Sequence, residues 1–190
     1  MPASGIDRVY LARHGRTALN ADGRLRGLSD PPLDDVGQEE AKRLGEALAT
    51  LGPTVVISSP LQRAVSTAAT IGAAARVRVE IDQRLNDRDY GPWTGASRLE
   101  VEERFGSIDA APGVEPADGV AARAVAAFTE LTREYPDGPL VMVSHDAFNT
   151  ALLKMLDPTL DGVTQRTACY NQISRREGRW QVDFYDRKPQ

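Results

Sequence analysis

Cysteine and histidine are scarce in this chain, which has one cysteine and two histidines among 190 residues. Because Cys169 has no second cysteine to pair with, no intrachain disulfide can form, and a reducing compartment is acceptable. His14 and His145 stand far apart among scattered aspartates and match no local metal-ligand spacing. We therefore expect neither a disulfide framework nor a metal site.

The chain also lacks long apolar runs and an excess of positive charge. No apolar stretch approaches the roughly 18 residues of a membrane span, and the N-terminus lacks the basic-then-apolar layout of a signal peptide. The net charge of −4 argues against a general nucleic-acid binder, which normally shows a basic patch. We expect a cytoplasmic protein that binds neither nucleic acid nor a membrane.

What the chain does have is an alternation of strand and helix patterns. This alternation predicts an α/β fold, a three-layer sandwich whose mostly parallel central sheet carries helices on both faces. Ser59 and Pro60 predict a cap and a first helical residue for the second helix. The predicted strands cover 7–12, 54–57, 77–81 and 140–143; the predicted helices cover 37–51, 60–73, 117–135 and 147–156; a hairpin of 166–174 and 179–186 closes the fold.

Two stretches of the sequence are less regular. Residues 15–37 are predicted to form a loop, and residues 84–116, with four glycines and three prolines, are predicted to form a small cap over the carboxyl ends of the strands. Tyr90 and Trp93 lie in the cap segment and either line the substrate entrance or pack under the cap. With no linker or internal repeat, residues 1–190 are predicted to form one domain.

Each histidine follows a short apolar run that is typical of a strand buried on both faces. His14 follows Val9–Ala12 and one arginine, and His145 follows Leu140–Val143 and one serine. In open parallel sheets, ligands bind beyond the carboxyl ends of the strands. Both histidines are therefore predicted to lie where such a fold carries out chemistry.

Arg13 and Arg63 have no carboxylate near them in the sequence. Arg63 is also predicted to lie in the first turn of a helix, where the helix dipole disfavours a cation. Either each arginine pairs with a distant acidic residue, or both face an anionic ligand at the strand ends. Two arginines and two histidines together suit a dianionic phosphoryl group, because guanidinium groups bind phosphate oxygens in pairs and a neutral imidazole is a competent nucleophile.

Several ordered blocks of sequence point the same way. The stretch 11–17, Leu-Ala-Arg-His-Gly-Arg-Thr, with Asn20 just after it, resembles the signature of the histidine phosphatase superfamily, in its first, phosphoglycerate mutase-like branch. The resemblance continues through 27–37, 58–68, 85–95, 113–115 with Arg123, and 143–145. It spans about residues 8–156 and rests on several motifs in the right order.

The resemblance implies a mechanism without a metal or an organic cofactor. His14 is implied to be the nucleophile, which passes through a phosphohistidine. Gly15 is implied to let the backbone approach the phosphate, although a glycine after a strand is often only a turn residue. The residues implied to hold the phosphoryl group are Arg13, Arg63 and His145, with Asn20 and Thr17.

The general acid is the point at which this chain departs from the family pattern. Asp87 occupies the position where the family usually has a glutamate, and its side chain is one methylene shorter. Asp146 follows the second histidine, where members of this branch usually have glycine, and a distant branch places its acid in a His-Asp pair. Asp87 is the first candidate for the acid and Asp146 the second; alternatively, Asp146 is a helix N-cap and both are structural.

The leading hypothesis is a histidine acid phosphatase-type phosphoric monoester hydrolase that acts on a small phosphorylated metabolite. The alternatives are phosphoglycerate mutase-type phosphoryl transfer and a catalytically weak module that binds phosphorylated ligands. Arg16, Arg24 and Arg26 either meet a second anionic group of the substrate or, as is more usual for surface arginines, face solvent. The sequence identifies neither the physiological substrate nor the oligomeric state.

Overall fold

A six-stranded sheet forms the centre of the structure, a computed structural model that describes residues 6–190. Residues 1–5, which begin the predicted domain and the segment inspected for a signal peptide, lie outside the described residues. The strand order is β3-β2-β4-β1-β5-β6, in which β3, β2, β4 and β1 run parallel and β5 and β6 pair antiparallel. The strands are β1 (Arg8–Arg13), β2 (Val55–Ser58), β3 (Val79–Ile81), β4 (Leu140–Ser144), β5 (Tyr170–Arg176) and β6 (Arg179–Arg187).

The helices cover both faces of this sheet, which confirms the predicted three-layer α/β fold. They are α1 (Ala18–Ala21), α2 (Asp35–Ala49), α3 (Gln62–Ala75), α4 (Arg98–Phe105), α5 (Ala117–Glu134) and α6 (Asp146–Leu156), with short 3-10 turns at Gln83–Leu85 and Gly91–Trp93. Alternate residues of β1, β2 and β4 pack against α2 and α3 on one face and against α5 and α6 on the other. Each fully buried leucine or phenylalanine there contributes about 1.5–3 kcal/mol.

The predicted start of the second helix is wrong by two residues. Ser59 and Pro60 do not open the helix: α3 begins at Gln62, after Leu61, which provides no side-chain cap. A carboxylate from the preceding loop takes over this task, because Asp30 Oδ1 accepts from the Gln62 N–H at 2.6 Å. Ser59 is thus free to contact other groups at the end of β2.

The predicted loop 15–37 also contains a helix that the sequence pattern did not indicate. Thr17 and Asn20 form a capping box, in which each side chain satisfies a backbone N–H of the other residue, and this starts the one-turn helix α1. The four-residue length of α1 is too short for an amphipathic period to show in the sequence.

The segment 84–116 packs around a small apolar cluster of its own. Tyr90 is buried among Leu25, Val101, Ile108 and Ala111, and Trp93 packs against this cluster. The indole N–H of Trp93 donates to the Pro112 carbonyl at 2.8 Å. The structure therefore favours packing under the cap for both aromatic residues. Within residues 6–190, no helix combines the length and the hydropathy needed to cross a membrane.

Candidate active site

The two histidines meet at the carboxyl ends of β1 and β4. Arg13 and Ser144, the last residues of these neighbouring parallel strands, are register partners, so the next residues, His14 and His145, leave the sheet side by side. Their ring centroids are 5.1 Å apart with an angle of 56° between the ring planes. The His14 N–H donates to the Ser144 carbonyl at 3.3 Å, which holds the two strand ends together.

Local hydrogen bonds fix the tautomer of His14. Its Nδ1 lies 2.7 Å from the Gly15 carbonyl oxygen, which can only accept, so Nδ1 carries the proton. Nε2 lies 3.3 Å from Nε of Arg63, which can only donate. The Nε2 lone pair of the neutral ring therefore points toward Arg63, at the centre of the group of charged residues.

Arg63 is completely buried and all three of its nitrogens are engaged. Besides its contact with His14, it donates to the Ser29 carbonyl at 2.7 Å, to the Gly27 carbonyl at 2.8 Å and to Asp87 Oδ2 at 3.1 Å. Arg63 does therefore have a distant acidic partner, as one interpretation of the sequence held. That partner is Asp87, the first candidate for the general acid. The acidic partner of Arg63 and the predicted active site therefore lie in the same place.

Asp87 is buried and its carboxylate is positioned from several sides. Its Oδ1 accepts from the Arg88 N–H at 2.8 Å, and its Oδ2 lies 3.6 Å from Nδ1 of His145. Arg123 donates to the Asn86 and Asp87 carbonyls at 2.9 and 2.8 Å and pairs with Glu115 at 2.7 Å. These contacts hold the shorter aspartate side chain against Arg63 and His145.

One ring nitrogen of His145 is hydrogen-bonded, and the other is buried without a partner among the described residues. Its Nε2 lies 2.8 Å from the hydroxyl of Ser59, whereas its buried Nδ1 has no hydrogen-bond partner within residues 6–190. Ser59 is a site residue that the sequence analysis misassigned to a helix cap. The motif around it was recognised, but the identity of its partner depends on how β2 and β4 pair.

Asp146 lies at the start of α6, near Arg13. It is the first residue of α6, with His145 as the N-cap residue, so the interpretation of Asp146 as the cap itself is wrong by one position. Its side chain is 38% exposed, accepts from the Thr150 hydroxyl at 3.2 Å and lies 3.7 Å from Nη1 of Arg13. No contact among residues 6–190 joins it to either histidine ring.

Arg13 is held through Nη1 of its guanidinium group, whereas its Nε has no partner among the described residues. Its Nη1 donates to the Gln165 carbonyl, which fixes the guanidinium, and its Nε is buried. Gln165 in turn belongs to a buried amide network with Asn149 and Asn171. The acidic partner of Arg13 is Asp146, the second candidate for the acid.

The other three predicted binding residues have more local tasks. The Thr17 hydroxyl donates to Asn20 Oδ1 at 2.9 Å within the capping box, so it orients Asn20. The Asn20 side chain lines a cavity beside Arg13. The Gly15 N–H donates to the Thr67 hydroxyl at 3.1 Å, and a Cβ on Gly15 would lie 2.4 Å from the Gly37 carbonyl oxygen. Close packing of two backbone segments therefore explains the glycine at position 15.

We expect Gly15→Ala to lower the free energy of unfolding by about 1–3 kcal/mol, because backbone must move to admit the methyl group. The matched control is Gly119→Ala in α5, where a Cβ would meet nothing within 4 Å. That variant should gain up to about 1 kcal/mol from helix propensity. Urea denaturation of both variants measures the difference; equal stability of the two would contradict the packing argument.

Both histidines are held neutral by their surroundings. Complete burial lowers the pKa of His14 well below its ordinary value, and the neighbouring His145, Arg13 and Arg63 lower it further. Burial is also the main cause of the lowered pKa of His145, with Arg63, Arg13 and Arg26 adding to it. A neutral His14 keeps the Nε2 lone pair available.

These lowered pKa values predict a pH-dependent stability. Below the ordinary histidine pKa of about 6.5 the unfolded chain takes up protons that the folded chain does not, so the free energy of unfolding falls as the pH falls from 6.5 to 5. The slope contributed by each histidine is at most about 1.4 kcal/mol per pH unit, and no contribution is lost above pH 7. Urea midpoints between pH 5 and 8 measure it, and replacing either histidine by glutamine should flatten the curve.

Arg26 is a second site residue that the sequence analysis assigned wrongly, since solvent exposure was the favoured interpretation. Its side chain is partly buried, and its Nε is buried without a partner among the described residues. Burial first, and then the charges of Arg13 and Arg63, lower the pKa of Arg26 to about 10. Arg26 therefore belongs to the same group of charges as the two predicted phosphate-binding arginines.

The described residues bring together no group of three or more histidine, cysteine, aspartate or glutamate side chains that could hold a metal ion. Cys169 is buried, and burial raises the pKa of its thiol. The ionisable side chains that converge at the strand ends are two neutral histidines, three arginines and Asp87.

An α/β sheet with two histidines and several arginines at its strand ends is the arrangement of a phosphoryl-transfer enzyme. The chain belongs to the histidine phosphatase superfamily (branch 1), whose family model matches residues 9–187, and the predicted resemblance is thereby confirmed. The chain is accordingly a phosphatase or a phosphoglycerate mutase-like enzyme.

Several named relatives are similar over most of the chain. A glucosyl-3-phosphoglycerate phosphatase of Mycolicibacterium vanbaalenii is 33% identical over 167 residues, which cover 80% of this chain and 74% of the relative. The uncharacterized phosphatase PhoE of Bacillus subtilis is 28% identical over 181 residues, which cover 94% of this chain and 93% of the relative. The probable phosphoglycerate mutase GpmB of Salmonella paratyphi C is 43% identical over 84 residues, which cover 44% of this chain and 39% of the relative.

Solved structures agree with this assignment. A mycobacterial glucosyl-3-phosphoglycerate phosphatase in complex with VO3 superposes with a TM-score of 0.84 at 27% sequence identity, covering 95% of this chain and 99% of the other.

Proposed function

We propose that the protein is a phosphomonoesterase that hydrolyses a small phosphorylated metabolite through a phosphohistidine on His14. The observation that carries the proposal is the fixed tautomer of His14: Gly15 holds its Nδ1 proton, and its Nε2 lone pair faces the buried charges. Nε2 attacks phosphorus as the bond from phosphorus to the ester oxygen breaks. Water then attacks the phosphohistidine and releases inorganic phosphate and the free imidazole.

Arg13 and Arg63 supply the positive charge for the phosphoryl oxygens, and the neutral His145 supplies a further hydrogen bond. The free Nε of Arg13 and the free Nδ1 of His145 are buried donor positions beside His14, which supports this assignment. Arg63 exchanges its contact with His14 for one with a phosphoryl oxygen. Fixed cations in a buried site stabilise the charge that develops on the transferred group.

Asp87 is the proposed general acid, which protonates the leaving ester oxygen and later accepts a proton from the attacking water. It is buried and lies beside both Arg63 and His145. Asp146 is partly exposed and pairs with Arg13, but it contacts neither Arg63 nor a histidine ring among the described residues. Position comes before pKa in assigning a general acid. Asp146 is assigned to orienting Arg13.

Hydrolysis is favoured over mutase-type transfer by the extent of similarity. The phosphatases match along most of the chain, whereas the probable mutase matches over less than half of either chain. We expect no metal requirement, because side chains supply the positive charge, and we expect a small-molecule substrate in the cytoplasm.

The test is phosphate release from p-nitrophenyl phosphate and glycerol 3-phosphate, with and without a chelator and with glycerate added as an acceptor. We expect chelator-resistant release of inorganic phosphate, with little phosphoglycerate formed. Transfer to glycerate in preference to water would support the mutase instead, and tight phosphate binding without turnover would support a binding module.

A further inference from the structure

Five arginine side chains line a single cavity of about 290 Å³ beside the candidate active site; we name it the arginine cavity. Four of these arginines come from the segment 13–26, and one comes from the cap helix α4. Asp146 contributes the one carboxylate among the lining residues. The five arginines are Arg13, Arg16, Arg24, Arg26 and Arg98.

The guanidinium groups of this cavity are largely unpaired. Among residues 6–190, each of the five donates to protein acceptors through one nitrogen only, and two nitrogens of each have no protein acceptor. The acceptors are Gln165 and Asp146 for Arg13, Asp34 for Arg16, the Gly95 carbonyl for Arg24, the Arg24 carbonyl for Arg26, and Glu102 for Arg98.

Three buried or partly buried arginines elsewhere in the fold are fully paired. Arg63, Arg84 and Arg123 each donate through all three of their guanidinium nitrogens, to carbonyls, to carboxylates or, for Arg63, also to His14. Arg78, Arg175 and Arg176 also donate through one guanidinium nitrogen only, but none of them lines this cavity. The five arginines of the arginine cavity differ because they converge on one volume that holds a single carboxylate, so their like charges repel one another.

The arginine cavity adjoins the proposed phosphoryl site. Arg13 belongs to both, and the charge of Arg26 acts on His145 and responds to Asp87 and Arg63. Arg26 has a buried Nε without a partner among the described residues, so a ligand in the cavity would give it an acceptor. A molecule whose phosphoryl group lies against His14 can therefore extend past Arg13 toward Arg26.

We propose that the arginine cavity binds a second anionic group of the substrate, a carboxylate or a second phosphate, on the part of the molecule that leaves with the ester oxygen. The inference rests on the proposed function and narrows the substrate to phosphomonoesters that carry a second negative charge. Guanidinium groups suit both anions, because they bind two oxygens through parallel charge-assisted hydrogen bonds.

A larger cavity on the Asp87 side of the site is chemically unsuited to this role. It borders Asp87 and has a volume of about 840 Å³, but its lining includes four carboxylates, those of Asp87, Asp89, Glu115 and Glu130. Arg84 and Arg123, its two arginines, already have all their nitrogens paired. A second anion is therefore attracted to the arginine cavity and repelled from this one.

The experiment compares substrates that differ by one anionic group. Glycerol 3-phosphate and 3-phosphoglycerate differ by a carboxylate, and fructose 6-phosphate and fructose 1,6-bisphosphate differ by a phosphate. We expect the wild-type kcat/KM for phosphate release to favour the member with the second anion by about 10- to 100-fold in at least one pair. The pair that shows the preference distinguishes a carboxylate from a phosphate.

Variants locate the preference. Arg26→Gln should lower the ratio of the two kcat/KM values about tenfold, and Arg98→Gln, on the exposed cap helix, should lower it by a smaller factor. The control is Arg43→Gln on the exposed face of α2, which removes the same charge from a residue that does not line the cavity and should leave the ratio unchanged. Among residues 6–190, Arg98 has one side-chain hydrogen bond, to Glu102, so we expect its replacement to leave the fold intact.

Dissociation constants for the same pairs on His14→Asn, a variant expected not to hydrolyse them, give the comparison without turnover. A preference in binding without wild-type turnover would reject the proposed hydrolase and support the second-anion site. Ratios near one for both pairs, in turnover and in binding, would overturn the inference while leaving the hydrolase intact. A ratio unchanged by both Arg26→Gln and Arg98→Gln would overturn it as well.

Discussion

His14→Asn is expected to lower kcat/KM for p-nitrophenyl phosphate by roughly 10⁴-fold or more, because it removes the nucleophile and no second group can take its place. The only other histidine, His145, contacts Ser59 through Nε2 and has its free Nδ1 beside Asp87. Activated esters need little help with the leaving group, so the loss reports on the nucleophile. Steady-state release of p-nitrophenolate measures it.

Loss of activity must be separated from loss of folding, because His14 is completely buried. Asparagine is polar and can donate to the Gly15 carbonyl in place of Nδ1. Thermal unfolding of the variant and its binding of inorganic phosphate are the controls. A folded variant that binds phosphate and retains more than about one per cent of the activity would contradict the role of His14.

Asp87→Asn should have the second largest effect, and the size of the effect should depend on the leaving group. For an alkyl phosphate such as glycerol 3-phosphate, kcat/KM should fall by about 10²- to 10⁴-fold, because the alkoxide needs a proton as it leaves. For p-nitrophenyl phosphate, kcat/KM should fall by about tenfold or less, because this leaving group needs little help from a proton. kcat/KM is the right quantity, since it excludes the later hydrolysis of the intermediate.

Asp146→Asn is the matched control, because it changes the competing carboxyl group in the same way. We expect a modest loss that is equal for both esters, caused by a less well oriented Arg13. If the leaving-group dependence instead appeared in Asp146→Asn and not in Asp87→Asn, the assignment of the acid would be reversed. Asp87→Glu restores the side-chain length usual in the family and tests whether the local contacts compensate for the shorter residue.

Much of the fold follows from local patterns in the sequence. The apolar runs Val9–Ala12 and Leu140–Val143 predict buried parallel strands because neither face of such a strand meets water. The position of both histidines at strand ends then follows from the chain itself. The helix starts were harder to predict, because Asp30 caps α3 from the preceding loop and no residue next to the helix carries that signal.

The parts of the site that could not be predicted depend on tertiary pairing. Ser59 reaches His145 because β2 lies next to β4, an order that no local pattern specifies. Arg26 is partly buried, with its Nε enclosed, because its loop packs against the cap through Leu25, whereas arginines in loops usually face solvent. The choice between Asp87 and Asp146 likewise required the distances to Arg63 and His145.

The most direct test of the account is to trap the covalent intermediate. Protein mixed with excess p-nitrophenyl phosphate, quenched in alkali within the first turnovers and digested, should yield a peptide that contains His14 and carries one phosphoryl group. The modification should be stable in alkali and lost in acid, as a phosphorus–nitrogen bond is, and it should be absent from His14→Asn. Rapid turnover with no such peptide, or with the phosphoryl group on a different residue, would contradict nucleophilic catalysis by His14.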